Sequence, residues 1–324
     1  MIKKFGFFTI KLQEVITMGK VSVADIKSLM KSTGVGMMDC KKALEETEGD
    51  MDKAVVILRE KGLATQAKKA DRVAAEGIVM AMTNDDHTVG AVVEVNIETD
   101  FAAKNEKFVA FVNDVAKTII EQNPADLDAL NACTISGGSA TVAETLSELF
   151  ISIRENMQIR RFKRMEGILV PYVHDGGKIG VMVNLATEAA VNDAILAAGK
   201  DCALQAAAMN PPYLNREQVP DSALEEEKTI MLAQMAEDPK MASKPEQVRV
   251  KIVEGKIGKY YGENCLIEQT FVKDNSLTVQ KYLDTVAKEV GSPITISEFV
   301  RFERGEGIEK KEDNLADEVA KMIK

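Results

Sequence analysis

The sequence predicts an α+β fold assembled from several small units. Three observations carry that expectation: short helical segments punctuated by caps and glycines near the N-terminus, two hairpin-then-helix segments about ninety residues apart, and a long antiparallel helical pair after the second of them. With 324 residues the chain has room for two or three domains, each able to bury a core.

Residues 1–20 hold a short apolar patch after two lysines but neither a secretory h-region nor an arginine-rich amphipathic pattern, and read as a disordered extension with Met18 as an alternative start. Helical grammar begins at Ser22, which with Asp25 forms a capping signal; Ile26, Leu29 and Met30 share a face, and Gly34 stops the run. A second helix over residues 37–47 places Met37, Cys40, Ala43 and Leu44 on one stripe and ends at Gly49. Asp50 caps a third, with Met51, Val55 and Leu58 on its stripe and Gly62 beyond its end. This gives a three-helix domain over 21–64, followed by a small, charged connector over 65–73.

The period then changes. Residues 77–82 and 89–97 read as strands around the polar turn Thr83 to Asp86, and 107–120 as a helix. The same order returns in 168–173, the turn at His174 to Gly177, 179–185, and a helix over 192–209. VGAVVEVNIET from Val89 aligns without a gap on IGVMVNLATEA from Ile179, which suggests an internal duplication with subdomains over 74–167 and 168–299. The copies differ at the strand-to-helix junction. The first carries Thr99, Asp100 and Phe101 where binding residues are common, whereas Val191 in the second is expected to be a buried helix-start residue.

Inserted in the second copy, residues 222–261 form an antiparallel coiled pair. Ser222 and Glu225 give a cap, Leu224, Met231 and Met235 a seam, and Val250, Val253, Ile257 and Tyr260 the facing stripe, with Gly255 and Gly258 allowing close approach. The chain resumes with residues 266–272, and a connecting helix over 276–290, a strand over 295–304 and a closing helix over 314–323 complete it, the last within a C-terminal module over 300–324.

Chemistry is sparse. With 51 acidic against 41 basic side chains, a net charge of -10 makes a phosphate-binding surface for nucleic acid an unfavoured expectation. No apolar run approaches the roughly 18 to 20 residues of a membrane span. Cys40, Cys133, Cys202 and Cys265 have no CxxC spacing, which fits a reducing cytoplasm, and Cys40 reads as a small core residue. No Gly-Lys is followed by Ser or Thr, and Gly34-Val35-Gly36 and Gly305-Glu306-Gly307 lack the third glycine of a dinucleotide loop. His87 and His174 lie in turns, and the pair His174–Asp175 is better explained by a hairpin than by acid–base chemistry. No metal, cofactor or catalytic residue is expected. On these residues alone a helical adaptor or scaffold leads, with a small-molecule enzyme in the subdomain cleft behind it.

Two further stretches are more specific: Thr33-Gly-Val-Gly-Met-Met-Asp-Cys-Lys-Lys-Ala-Leu44 and Glu94 to Phe101, ending Glu-Thr-Asp-Phe. With Ala206-Ala-Ala-Met-Asn-Pro211 and Phe302-Glu-Arg-Gly-Glu-Gly-Ile-Glu309, they closely resemble the translation elongation factor Ts family from about Val21 to the C-terminus. Ala102 stands where that family usually has valine, and Val35 where it often has alanine. The resemblance implies a nucleotide exchange factor that binds the GDP form of elongation factor Tu and promotes GDP release, not an enzyme. It also implies a ubiquitin-associated-like (UBA-like) N-terminal domain, a core of two related α+β subdomains with antiparallel sheets, a coiled-coil hairpin and a C-terminal helical module. Asp100 and Phe101, beside Thr99, would form a wedge disturbing the partner's magnesium and phosphate site. Met37, Met38 and Asp39 would make an N-terminal contact, and His174 a contact from the second hairpin. Without the resemblance, Phe101 reads as a core residue of the following helix. Neither nucleic acid nor membrane is an expected partner, and a homodimer or 2:2 complex through the hairpin stays open.

Overall fold

Side-chain caps set most helix starts. In the computed structural model, which describes residues 21–309, α1 (Val23–Thr33) begins under a reciprocal box: Ser22 Oγ accepts from the Asp25 amide and the Asp25 carboxylate from the Ser22 amide, both at 3.0 Å. Helix α2 (Met37–Glu46) follows, then α3 (Met51–Lys69), whose cap Asp50 accepts from the Lys53 amide at 3.1 Å. Ile26, Leu29, Cys40, Leu44, Ala54 and Leu58 form the core these helices share. The expected stripes are rotated slightly. Met37 and Val55 are exposed, so burial runs through Cys40 on α2 and through Ala54 and Leu58 on α3.

Gly62 does not end the third helix. α3 continues through it to Lys69, taking up part of the expected connector. A Cβ at residue 62 would stand 2.2 Å from Cγ1 of Ile151, so the glycine is a point of close approach, not a stop signal. Gly62→Leu should therefore open this seam and cost about 1–3 kcal/mol, read as a lower urea midpoint; an unchanged or raised midpoint would show that Ile151 swings clear.

The antiparallel hairpin β1 (Glu76–Thr83) and β2 (Val89–Ile97) leads into α4 (Asp100–Ala103) and α5 (Glu106–Gln122). Sequence patterning assigned no element between residues 121 and 167. There lie α6 (Leu127–Ala132), α7 (Val142–Ile153) and β3 (Met157–Glu166), which pairs with β2 to give the order β1-β2-β3. The second hairpin is β4 (Ile168–His174) and β5 (Ile179–Ala186), followed by α8 (Asp193–Met209).

The helical pair consists of α9 (Asp221–Glu237) and α11 (Glu246–Asn264), joined through the short α10 (Pro239–Ala242). Two sequence expectations fail here. α9 starts behind Pro220 without a side-chain cap, placing Ser222 inside its first turn, because Pro220 itself sets the extended entry. Gly255 and Gly258 face open space, so neither mediates close approach. Met235 and Val253 are the buried members of the pair, while Val250 is exposed. Next come β6 (Thr270–Phe271), β7 (Asp274–Thr278), α12 (Val279–Val290) and β8 (Thr295–Glu303). Residues 274–278 are thus a strand where the start of a helix was expected; Thr278 delays that start by accepting from the Lys281 amide at 3.3 Å. β8 runs unbroken across residue 300 and pairs with β5 in the order β4-β5-β8. The expected closing helix over 314–323 and the extension over 1–20 lie outside the described residues.

The result is mixed α+β, with N-terminal helices and three small antiparallel sheets interleaved with helices. The two larger sheets pack face to face. Val79, Ala81 and Val92 of the first meet Leu169 and Met182 of the second, while α5 covers the outer face of one and α8 that of the other. Gly180 makes the approach close: a Cβ there would stand 2.5 Å from Cγ1 of Val79. The central strands repeat one another in detail. The partner of each is bulged at the same place: Arg160 of β3 is the extra residue opposite Glu94 and Val95, and Ser297 of β8 the extra residue opposite Asn184 and Leu185, the aligned positions of the two copies. No helix among the described residues is long and apolar enough to cross a membrane.

Candidate functional site

Thr99 ends the extended backbone after β2 and caps α4, its Oγ1 accepting from the Ala102 amide at 3.2 Å. The same hydroxyl donates to the Glu155 carboxylate at 2.8 Å, and the Thr99 amide donates to that carboxylate at 3.0 Å. This fixes the first turn, from which Phe101 projects with 86% of its surface exposed. The alternative of a core phenylalanine is therefore excluded; Ala102 and Ala103 supply the buried contacts of α4, and Phe108 those of the next helix. Asp100 is exposed and takes Lys104 Nζ at 2.9 Å; that bond, with the ammonium charge, holds its carboxyl below the usual range, so it is ionised at neutral pH.

Met37 and Met38 lie at the first turn of α2, both more than half exposed. Asp39 beside them pairs with Arg154 just past the end of α7. His174 sits apart, at the end of β4 on the other sheet, where Nδ1 is 3.0 Å from the Tyr172 hydroxyl and its carbonyl accepts the Gly177 amide of the hairpin turn. His87 is likewise engaged structurally, with Nδ1 3.2 Å from the Leu169 carbonyl oxygen. Val191, the counterpart of Phe101, is 45% exposed, which overturns its expected burial; it precedes the Asn192 cap of α8 and lies outside the helix that would have covered it.

Sequence reasoning missed the residues that hold this arrangement. Arg154, Glu155 and Asn156 form the link between α7 and β3. Asn156, nearly buried, donates from Nδ2 to the carbonyls of Ala70 at 3.2 Å and Arg72 at 2.7 Å, and its amide donates to the Glu98 carboxylate at 2.6 Å. Nothing local in Arg-Glu-Asn signals such roles, because every partner is distant in sequence. Glu94, at the start of the Glu94 to Phe101 stretch, is a second such residue. Its buried carboxylate accepts from Arg160 at 3.1 Å, Arg161 at 2.6 Å, Asn96 at 3.1 Å and the Gly305 amide at 2.7 Å, tying β2 and β3 to the turn after β8. Among the described residues no group of three or more His, Cys, Asp or Glu could hold a metal ion, and Cys40 is buried with its thiol pushed up by burial.

These features suit macromolecular contact more than chemistry: exposed apolar side chains on fixed turns, with a charged group beside one of them. The family profile described as Elongation factor TS matches residues 98–306. The chain is similar to an "Elongation factor Ts" of Clostridium perfringens (strain SM101 / Type A), 50% identical over 305 residues, covering 93% of this chain and 99% of the relative. Similar too are proteins of the same description from Clostridium kluyveri, 49% identical with 92% and 97% covered, and Syntrophotalea carbinolica, 46% identical with 94% and 100% covered.

Proposed function

The chain belongs to the elongation factor Ts family, and from that premise we propose that residues 99–101 drive GDP release from elongation factor Tu while Met37, Met38, Asp39 and His174 secure the partner. The protein is a nucleotide exchange factor for elongation factor Tu, acting in the cytoplasm by non-covalent binding and not as an enzyme. One observation carries the assignment within the site: Phe101 stands 86% exposed on a turn fixed from both sides, next to an ionised carboxylate.

An aromatic ring carried outside its own fold on a fixed turn gains free energy by entering a partner's pocket, and with only two side-chain torsions it does so at little ordering cost. Asp100 then brings negative charge toward groups that hold a phosphate or its magnesium, weakening the nucleotide in the complex. The effect is reciprocal, since nucleotide must weaken the factor as much as the factor weakens nucleotide. Met37 and Met38 supply adaptable apolar contact, and His174 with Tyr172 a polar-tipped one.

The finer architecture belongs to the same proposal. α1 to α3 are read as the UBA-like domain, the two bulged sheets with their helices as related subdomains, and α9 with α11 as a coiled-coil hairpin. The helix of the expected C-terminal module over 300–324 falls outside the described residues. Exposed Ile230, Val248 and Val250 on the hairpin support a homodimer or 2:2 complex there, which light scattering of the factor alone and with its partner decides.

Release of fluorescent GDP from purified elongation factor Tu tests the reading. Acceleration at substoichiometric factor is expected, whereas binding without acceleration would indicate an adaptor.

A further inference from the structure

Three consecutive residues reach, between them, both exposed contact clusters. Arg154 pairs with Asp39, next to Met37 and Met38, and its carbonyl accepts Lys69 Nζ at 2.5 Å from the end of α3. Glu155 takes both the hydroxyl and the amide of Thr99, next to Asp100 and Phe101. Asn156 closes the gap between them, holding the carbonyls of Ala70 and Arg72 on one side and bonding Glu98 on the other, while Arg72 itself reaches Glu98 at 3.3 Å. The N-terminal helices thus meet the β2–α4 junction through residues 154–156.

We propose that Arg154, Glu155 and Asn156 are positioning residues for nucleotide exchange, holding the methionine face of α2 and the Phe101 turn as one rigid two-point contact. The inference rests on the site assignment above and adds what makes the two points act together. A second contact on the same rigid body forms as an intramolecular step, at a high effective concentration, only while the spacing matches the partner. A site held through side chains of its supporting residues loses function at displacements too small to unfold it. Glu155 is the sharper element. It is half-buried, and two donors of one residue converge on its carboxylate, so it sets both the hydroxyl rotor of Thr99 and the direction of the turn.

The test is GDP release from elongation factor Tu, measured over a range of factor concentrations so that the maximal rate and the half-saturating concentration separate, with a thermal melt for each variant. Glu155→Ala should lower the maximal rate by about fivefold to tenfold and shift half-saturation by less than about twofold, with the melt retained. Glu155→Gln, which keeps an acceptor for Thr99, should recover most of the rate. Arg154→Gln should instead raise the half-saturating concentration by about fivefold, because it removes the tie from Asp39 of α2 to the α7–β3 link while leaving the Phe101 turn in place. In the Glu155→Ala background, Phe101→Ala should add less than about a further twofold loss, since the ring has already lost its orientation.

A normal maximal rate for Glu155→Ala, or a full additional effect of Phe101→Ala upon it, overturns the positioning role. If Glu155→Ala fails to fold, Glu155→Asp, which keeps the charge and shortens the reach, is read by the same criteria. An inert Phe101→Ala in the native background overturns the site assignment itself and the positioning role with it; an effective Phe101→Ala beside an inert Glu155→Ala overturns the positioning role alone.

Discussion

Phe101→Ala lowers assisted GDP release about tenfold or more and leaves the thermal melt where it was. The ring makes few contacts within its own chain, being 86% exposed, so truncation opens no cavity and the usual cost of deleting a core aromatic does not arise. What it removes is an anchor. Transient interfaces concentrate binding energy in a few aromatic residues, and losing one costs at least about 1–2 kcal/mol of coupling, roughly a factor of ten in rate or affinity. Phe108, fully buried in the following helix, is the internal control: its truncation should unfold the first sheet's core, costing about 3–5 kcal/mol. Asp100→Ala should slow release with a smaller effect on binding, because an exposed carboxylate adjusts charge at the nucleotide site without filling a pocket. Stopped-flow release of labelled GDP beside a melt reads both outcomes. Unfolding of Phe101→Ala, or unaltered release by it, would place the driving contact elsewhere.

The contrast between Phe101 and Phe108 also marks how far the sequence could be read. Caps were legible because both partners lie within one turn: Ser22 with Asp25, and Asp50 with the Lys53 amide, are local chemistry. β2 and β5 were legible because they are central strands buried on both faces, and so read as continuous apolar runs. β3 was not, since its half-buried positions carry Arg160, Arg161 and Arg164, whose partners include Glu94 and the Ile120 carbonyl, far away in the chain. α7 was missed although its signal was present, a Thr141–Glu144 capping box ahead of Val142, Leu146, Leu149 and Phe150. Glycines were ambiguous for a physical reason. Gly62 and Gly255 look alike in sequence, and only the presence of Ile151 beside one and nothing beside the other separates close approach from open surface. Within the site, residue type and spacing could mark the junction at residues 99–101 as unusual, but exposure of its phenylalanine became readable only through the family resemblance. Glu155 could not be found at all, because its role exists only once the α7–β3 link is folded against Thr99.

Glu94→Ala should be the most damaging single change at a polar residue, with a loss of about 3 kcal/mol. Glu94 is fully buried between the sheets, and its removal takes one acceptor from each of two guanidinium groups and the Asn96 side-chain amide and leaves the Gly305 amide without its side-chain acceptor. The Arg160 and Arg161 side chains are 26% and 31% exposed, and Arg161 keeps the Glu306 carboxylate at 2.9 Å, so water and that second acid hold the cost at the lower end for a broken buried pair. Glu94→Gln retains the volume and one acceptor and should cost about half as much. The two variants also predict a pH signature. Burial pushes the Glu94 carboxyl up, but the Gly305 amide, the Asn96 amide and Arg161 together outweigh it and leave the group below its usual value of 4.5. A carboxylate depressed in the folded state stabilises fully above the unfolded value and loses that contribution as pH falls through the folded one. The native protein should therefore exceed Glu94→Gln most at neutral pH, and the gap should close as the pH drops below 4.5. Urea midpoints for the pair at pH 7 and through the acid range measure this directly. A gap that is absent at neutral pH, or that widens in acid, would mean that the arginines and the turn after β8 are held by other contacts and that Glu94 is a passenger in the sheet interface.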